Sequence, residues 1–213
     1  MEIKYHSQYQ QDKYLDENVF KKKENGFFLD IGAHDGISLN NTYFFEKYRN
    51  WNGICIEPIP EVFERLDKNR SCIKIKGCIA EKNGRSIFLK IEGYSEMLSG
   101  LVDDYDLRHL YRIEAEIQQY GGKKQEIEVE CFNVNDMLAE NNISFIDYCS
   151  LDVEGAEFSI LKSIDFKNII IDVFTIENNY GTSDIRNFMH SKGYDLIACL
   201  GCDEVFRLRE KVI

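Results

Sequence analysis

The sequence predicts an α/β fold: a Rossmann-like, mostly parallel sheet of seven strands with helices on both faces, closed by a C-terminal antiparallel hairpin. Three observations carry this. Phe27 to Gly36 reads FFLDIGAHDG, an apolar strand running into Asp30 and a loop with Gly32 and Gly36. A second apolar run, Ile54-Cys55-Ile56, ends in Glu57, 21 residues past Gly36, with Pro58 next. Together these have the grammar of a nucleotide-binding βαβ unit. From there strands and amphipathic helices alternate to the end of the chain.

The elements follow in order. Residues 27–31 form a strand and 40–47 a helix. Residues 53–57 form the second strand. Pro60 suits the first turn of a helix that carries Val62, Phe63 and Leu66. Strands are expected over 72–79 and 86–91, the latter antiparallel. Leu107, Leu110, Glu114 and Ile117 recur at helical spacing, which predicts a helix over 103–120. A strand at 127–132 and a short helix at 134–140 come next. Residues 145–152 form a strand and 156–163 a helix. Residues 169–177 are almost continuously apolar, as in a strand buried on both faces. A helix at 184–192 leads to a hairpin of 194–200 and 204–208 across Gly201-Cys202-Asp203. Residues 94–122 interrupt the alternation and are read as a small cap insertion within one domain spanning 1–213.

Bulk properties narrow the function. With 44% hydrophobic and 30% charged residues in 213, the chain has an ordinary globular composition. A net charge of -11 repels a phosphate backbone, so nucleic acid is not an expected partner. The short basic run Lys21-Lys22-Lys23 reads as a solvated helix end. No stretch approaches the roughly 20 apolar residues of a membrane span. The polar start, without an apolar signal core, sets a cytoplasmic expectation. The seven cysteines are odd in number and mostly sit in apolar strands, which agrees with a reducing compartment. Cys199 and Cys202 form a lone CxxC, read as a turn between strands rather than a zinc or redox site.

The opening motif carries the chemistry. Gly32 and Gly36 let backbone approach a ligand closely. Asp30 ends its strand where open α/β sheets bind ligands, and Glu57 can accept both hydroxyl protons of a ribose. The bland reading is a tight turn with Glu57 facing solvent. A dinucleotide enzyme would want G-x-G-x-x-G, whereas this loop reads G-x-H-x-G. A short-chain dehydrogenase would also need Tyr-x-x-x-Lys far downstream. Tyr43 to Lys47 and Tyr120 to Lys124 are both poorly placed for it. An acid directly before the glycine loop suits a ligand with a cationic amino-acid end, which favours S-adenosylmethionine.

At this point the chain resembles the FkbM-type class I methyltransferases. Ser7-Gln8-Tyr9-Gln10-Gln11-Asp12 resembles that family's S-Q-x-x-x-D entrance segment. LDIGAHDG with Asn41-Thr42 resembles its cofactor loop, and Ser99-Gly100-Leu101 its mid-chain SGL element. Residues 146–165 resemble its D-x-E-G-x-E block. The resemblance implies that Asp30, Gly32, Ala33, His34 and Gly36 shape the methionine end of a cofactor pocket, with Asn41 and Thr42. It implies that Glu57, with Pro58, holds ribose and that Ile79-Ala80 lies against adenine. Gln8 and Gln11 would close over the ligand, and Asp152, with Val153, would stand beside the reactive methyl. The family's usual acceptor is a hydroxyl, often on a sugar or a polyketide. His34 departs from the expected asparagine or glycine. It either tolerates positive φ or reaches substrate.

Methyl transfer from sulfonium to oxygen is an in-line displacement helped by orientation and desolvation. A base assists as the hydroxyl proton leaves. Candidates are Asp152, His34, His109, Glu154 and Glu177. Glu157, in the first turn of its helix, is read as a cap. A divalent ion held by Asp152 and Glu177 would serve the same end, and the sequence does not choose. Tyr94, Met97, Tyr105, Tyr111 and Tyr120 populate the cap, where tyrosines can stack on a sugar or simply pack. The leading expectation is an S-adenosylmethionine-dependent O-methyltransferase acting on a small hydroxylated molecule, a sugar or glycoside. A nicotinamide oxidoreductase and a catalytically silent binding domain are the alternatives.

Overall fold

In the computed structural model, which describes residues 3–210, strands and helices alternate apart from a run of four strands in the middle and a closing hairpin. The chain enters through α1 (Gln11–Tyr14), continued by a π-helical turn over Leu15–Val19. There follow β1 (Phe27–Ile31), α2 (Tyr43–Arg49), β2 (Asn52–Glu57), α3 (Pro60–Asn69) and β3 (Ile73–Lys76). The middle holds β4 (Cys78–Ala80), β5 (Gly84–Glu92), β6 (Gly100–Leu101), α4 (Leu107–Tyr120) and β7 (Lys123–Asn133). The last part holds α5 (Val134–Glu140), β8 (Phe145–Leu151), α6 (Glu157–Ser163), β9 (Ile170–Glu177) and α7 (Ser183–Ser191). A hairpin of β10 (Tyr194–Leu200) and β11 (Asp203–Leu208) closes the chain.

Seven strands make the main sheet in the order β10-β11-β9-β8-β1-β2-β3. All pairs are parallel except those of β11 with β9 and β10. Side chains alternate between its faces. Leu29, Ile31, Ile54, Ile56, Cys149 and Phe174 pack against α5, α6 and α7 through Met137, Leu161 and Met189. Phe28, Cys55, Tyr148 and Val173 pack the other way, against Phe44 and Phe45 of α2 and Leu15. Both faces are therefore covered, as a parallel sheet requires. From β1 the chain builds outward one way through β2 and β3, then returns to β1's other side at β8. That switch point opens a crevice at the strands' carboxyl ends.

Several element boundaries differ from expectation, three of them for a reason visible in the structure. The single strand over 72–79 is two strands in two sheets. β3 pairs with β2, while β4 joins a second sheet of order β4-β7-β5-β6. Gly77 marks the break, where a Cβ would lie 2.6 Å from the Glu130 carbonyl oxygen. Apolar periodicity reports burial and is silent on which sheet does the burying. The helix expected from residue 40 starts at Tyr43. The Asn40 side chain accepts the N–H groups of Thr42 and Tyr43 and so serves as a cap. The helix expected from 103 starts at Leu107, because Asp106 caps it by accepting the Arg108 N–H at 2.7 Å. The CxxC lies across the β10–β11 turn, and the seven cysteines are free. No helix among the described residues is long and apolar enough to cross a membrane.

Candidate active site

The site is assembled where the β1 loop meets the end of β8. Gly32 has φ +90°, and a Cβ there would sit 1.8 Å from the Asp152 carbonyl oxygen. Only glycine permits this approach. The amide of Asp152 donates to Ile31 O, while Gly32 and Ala33 donate to Ile56 O. The two most telling sequence blocks, LDIGAHDG and LDVEGAE, are thus one backbone junction.

Beneath the junction lies a buried polar cluster. Asp30, 2% exposed, accepts from Asn40 Nδ2 at 2.9 Å and Thr42 Oγ1 at 2.6 Å. Arg70 stands 3.8 Å away. All these contacts fall on Oδ2, and Asp30 lines the cavity above. Arg70 also donates to Glu46, Gly36 O, Asn40 and Thr42. One guanidinium therefore staples the glycine loop to α2 and α3. Burial raises the Asp30 pKa and Arg70 opposes it.

A cavity of about 430 Å³ opens above. On one side it is lined by Asp30, Gly32, Ala33, His34, Glu57, Pro58 and Ile79. Glu57 is 5% exposed and accepts the Ile59 N–H at 2.8 Å through Oε1. Burial pushes its pKa up to about 7, partly offset by that bond and by His34. His34 has φ +49°, so it does take the left-handed conformation. Its Nε2 lies 2.8 Å from Glu96 Oε1, which Arg65 also holds at 2.6 Å. The ring is thereby tied to the 94–122 segment.

The entrance segment closes another side. Ser7 Oγ accepts the Asp12 N–H, and Asp12 accepts the Ser7 and His6 N–H groups. This reciprocal box presents Gln8 and Gln11 to the cavity. Gln11 Nε2 donates to Asp203 at 2.6 Å, which pins the segment to the start of β11.

Opposite stand carboxylates. Asp152, Glu154 and Glu177 each bring one oxygen within 4.8 Å of the other two. Such spacing lets them share protons or hold a cation. Burial first, then the neighbouring acids Asp203, Glu157 and Asp30, push Asp152 up to about 8. Burial with Asp152 and Glu154 pushes Glu177 up to about 12, and Glu154 is raised by burial and Asp152. Glu154 takes φ +58° before Gly155, and Glu157 accepts the Val153 and Gly155 N–H groups, the capping role expected of it.

Not every expected residue reaches the cavity. Gly36 lies against Leu66 and Arg70, Thr42 is wholly buried on Asp30, and Ala80 packs away from the lining. His109 lines an adjoining cavity that shares Glu177 and Asn179 with the first. The cap tyrosines do not line the main cavity either. Tyr94 and Tyr120 stack on each other at 4.2 Å, Tyr111 is exposed, and Tyr105 donates to Leu98 O. The segment instead contributes Glu96 to Ser99, Leu101 and Arg112. Asn40, Arg70, Glu96 and Arg112 escaped sequence reasoning. Arg70 and Glu96 find their partners tens of residues away, and Asn40 and Arg112 carry no motif of their own.

A switch-point cavity, a glycine loop answered by a carboxylate on the next strand, and an antiparallel β11 between β9 and β10 define the Rossmann-like methyltransferase class. The chain belongs to the FkbM methyltransferase domain family, whose model matches residues 30–196. It is 22% identical to "Methyltransferase 1" of Beauveria bassiana over 191 residues, covering 80% of this chain and 73% of that one. It is 24% identical to "Methyltransferase sdnD" of Sordaria araneosa over 199 residues, covering 81% and 74%. Among solved structures, the FkbM methyltransferase of Methylobacillus flagellatus KT aligns with TM-score 0.49 and 11% identity. That alignment covers 87% of this chain and 44% of the other. The chain is a methyltransferase, and the oxidoreductase alternative falls away.

Proposed function

We propose that the enzyme transfers a methyl group from S-adenosylmethionine to a hydroxyl of a small acceptor, a sugar or glycoside. The observation that carries this is the two-sided cavity: a nucleoside-type carboxylate, Glu57, on one side, and the carboxylates Asp152, Glu154 and Glu177 on the other. In this reading Glu57 accepts from the ribose hydroxyls, Ile79 lies against adenine, and Asp30 and Asn41 face the amino-acid end. Asp152 then stands beside the sulfonium, whose positive charge suits a buried acid. The acceptor enters past Met97 and Arg112, with residues 94–122 as a cap and the adjoining cavity as room for the rest of its ring.

Orientation and exclusion of water supply most of the acceleration such a displacement needs. Cytoplasmic action on a soluble acceptor belongs to the same reading. Calorimetry with S-adenosylhomocysteine and with NAD tests the cofactor. Tight binding of NAD alone would sink the assignment. A labelled-methyl screen against nucleotide sugars and free glycosides tests the acceptor, with product expected on an oxygen.

A further inference from the structure

We propose that Glu154 and His109 form a proton relay that draws the acceptor's hydroxyl proton away from the reacting oxygen, a step that rests on the O-methylation reading above. His109, on α4, is 2% exposed and stacks on Tyr105 with ring centroids 4.9 Å apart. Its Nε2 lies 3.2 Å from the carbonyl oxygen of Leu98. A carbonyl only accepts, so Nε2 carries the hydrogen and Nδ1 of the neutral ring is bare. Nδ1 faces Glu154 Oε2 at 3.5 Å. That oxygen is buried and has no hydrogen-bond partner among the described residues.

Two bare lone pairs facing each other in a buried place are unfavourable, and one proton between them resolves the contact. The relay places that proton on Glu154, whose Oε2 has no other partner among the described residues while the ring already donates through Nε2. Burial and the charges of Asp152, Glu157 and Glu116 favour its acid form, against Arg112. Burial, with Arg112, lowers the His109 pKa, against the Leu98 hydrogen bond, Glu116 and Asp106. Glu177, at the end of β9, adds a further acid facing Glu154. An unliganded pair at this separation tightens when the reacting complex forms.

The relay balances. At the start Glu154 is a neutral acid, with Oε2–H donating to Nδ1 and Oε1 accepting from the acceptor hydroxyl. The acceptor oxygen forms its bond to the methyl carbon as the carbon–sulfur bond breaks, and that electron pair stays on sulfur. The hydroxyl proton passes to Oε1 while the Oε2 proton passes to Nδ1. Glu154 remains neutral throughout. The positive charge that leaves the sulfonium reappears on the His109 imidazolium, still among carboxylates. Glu154 touches the acceptor in this scheme, and His109 acts through Glu154.

The test uses the full chain, labelled with nitrogen-15 histidine and loaded with S-adenosylhomocysteine. Of the four histidines, His109 is assigned by the signal lost in His109→Gln. The expected spectrum at pH 7 shows a neutral ring with hydrogen on Nε2 and a bare Nδ1. An imidazolium, or hydrogen on Nδ1, overturns the proposal. The glutamine of His109→Gln can still donate to Leu98 O but offers no second base. Single-turnover methyl transfer to the best-used glycoside of the screen should fall about 10²-fold in His109→Gln, with S-adenosylhomocysteine affinity unchanged. Glu154→Gln should fall alike, and the double variant no further. An unchanged rate and pH profile in His109→Gln overturns the relay. Should that variant fail to fold, the wild-type spectrum and Glu154→Gln still decide. The spectrum needs no acceptor, so an empty glycoside screen counts against O-methylation and leaves the tautomer to judge the pair.

Discussion

Glu57 shows how one side chain joins burial to recognition. It ends β2 almost wholly out of water, with one oxygen bonded to the Ile59 amide. Hydroxyl donors favour the ionised form, so in the proposed reading, where Glu57 accepts from a ribose, the ligand holds it charged against a pKa of about 7. Affinity for S-adenosylhomocysteine should therefore weaken as pH falls through about 7. Glu57→Gln should lose at least about tenfold in affinity and flatten that dependence, as titration calorimetry at several pH values would read. His34 works differently, tying the glycine loop to Glu96 while holding a left-handed backbone. Asparagine tolerates that backbone but cannot span to Glu96. In His34→Asn the melting temperature should stay within a few degrees while S-adenosylhomocysteine binds several-fold more weakly.

Among elements, the β1 loop depends on its neighbours more than on itself. Gly32 meets the Asp152 carbonyl, and Arg70 reaches over from the end of α3 to neutralise Asp30 and Glu46. Arg70→Met would leave the buried Asp30 and the half-buried Glu46 without their cation. Chemical denaturation should show a loss of about 3–5 kcal/mol. Little loss would mean that Asp30 carries a proton in the folded state. Gly32→Ala should be worse for function than for folding if the loop can swing outward. Cofactor binding should disappear, and any detectable affinity would contradict the junction described above. The 94–122 segment also reads differently as an element. Tyr94 and Tyr120 face each other, Tyr111 faces solvent and Tyr105 packs on His109, while Glu96 to Ser99, Leu101 and Arg112 are what reach the cavity. Ser99 accepts the Ile91 amide and donates to Glu96 O, which accounts for the SGL signature as a turn lock.

For the whole molecule, the acids gathered at one sheet edge set the pH behaviour. Burial and the neighbouring acids push Asp152 up to about 8 in the folded protein, against an ordinary carboxylate value of 3.8. A raised acid contributes stability that is fully present below its ordinary pKa and is lost as pH climbs through the folded one. Glu57 adds a loss of the same sign near 7. The unliganded protein should therefore melt at progressively lower temperature from about pH 6 to 9, and Asp152→Asn should raise the melting temperature at pH 9 by several degrees. Scanning calorimetry of both proteins checks this, and a wild type that stabilises over that interval contradicts it. The overall charge of -11 adds self-repulsion in the same direction.

Much of this was legible in the chain alone. Apolar runs ending in Asp30, Glu57, Asp152 and Glu177 marked the strands and their carboxyl edge, because a strand buried on both faces leaves a contiguous apolar signature. Glycines at 32 and 36 marked the loop for the same local reason. Their positive φ is a property of single residues. Tertiary structure alone decided the rest. It split residues 72–79 between two sheets, brought Arg70 under Asp30, turned His34 toward Glu96 and set His109 against Glu154. Each of these is a pairing across tens of residues, fixed by which surfaces pack together. Residue order records local propensity and periodicity, and contacts at that range leave no period to read.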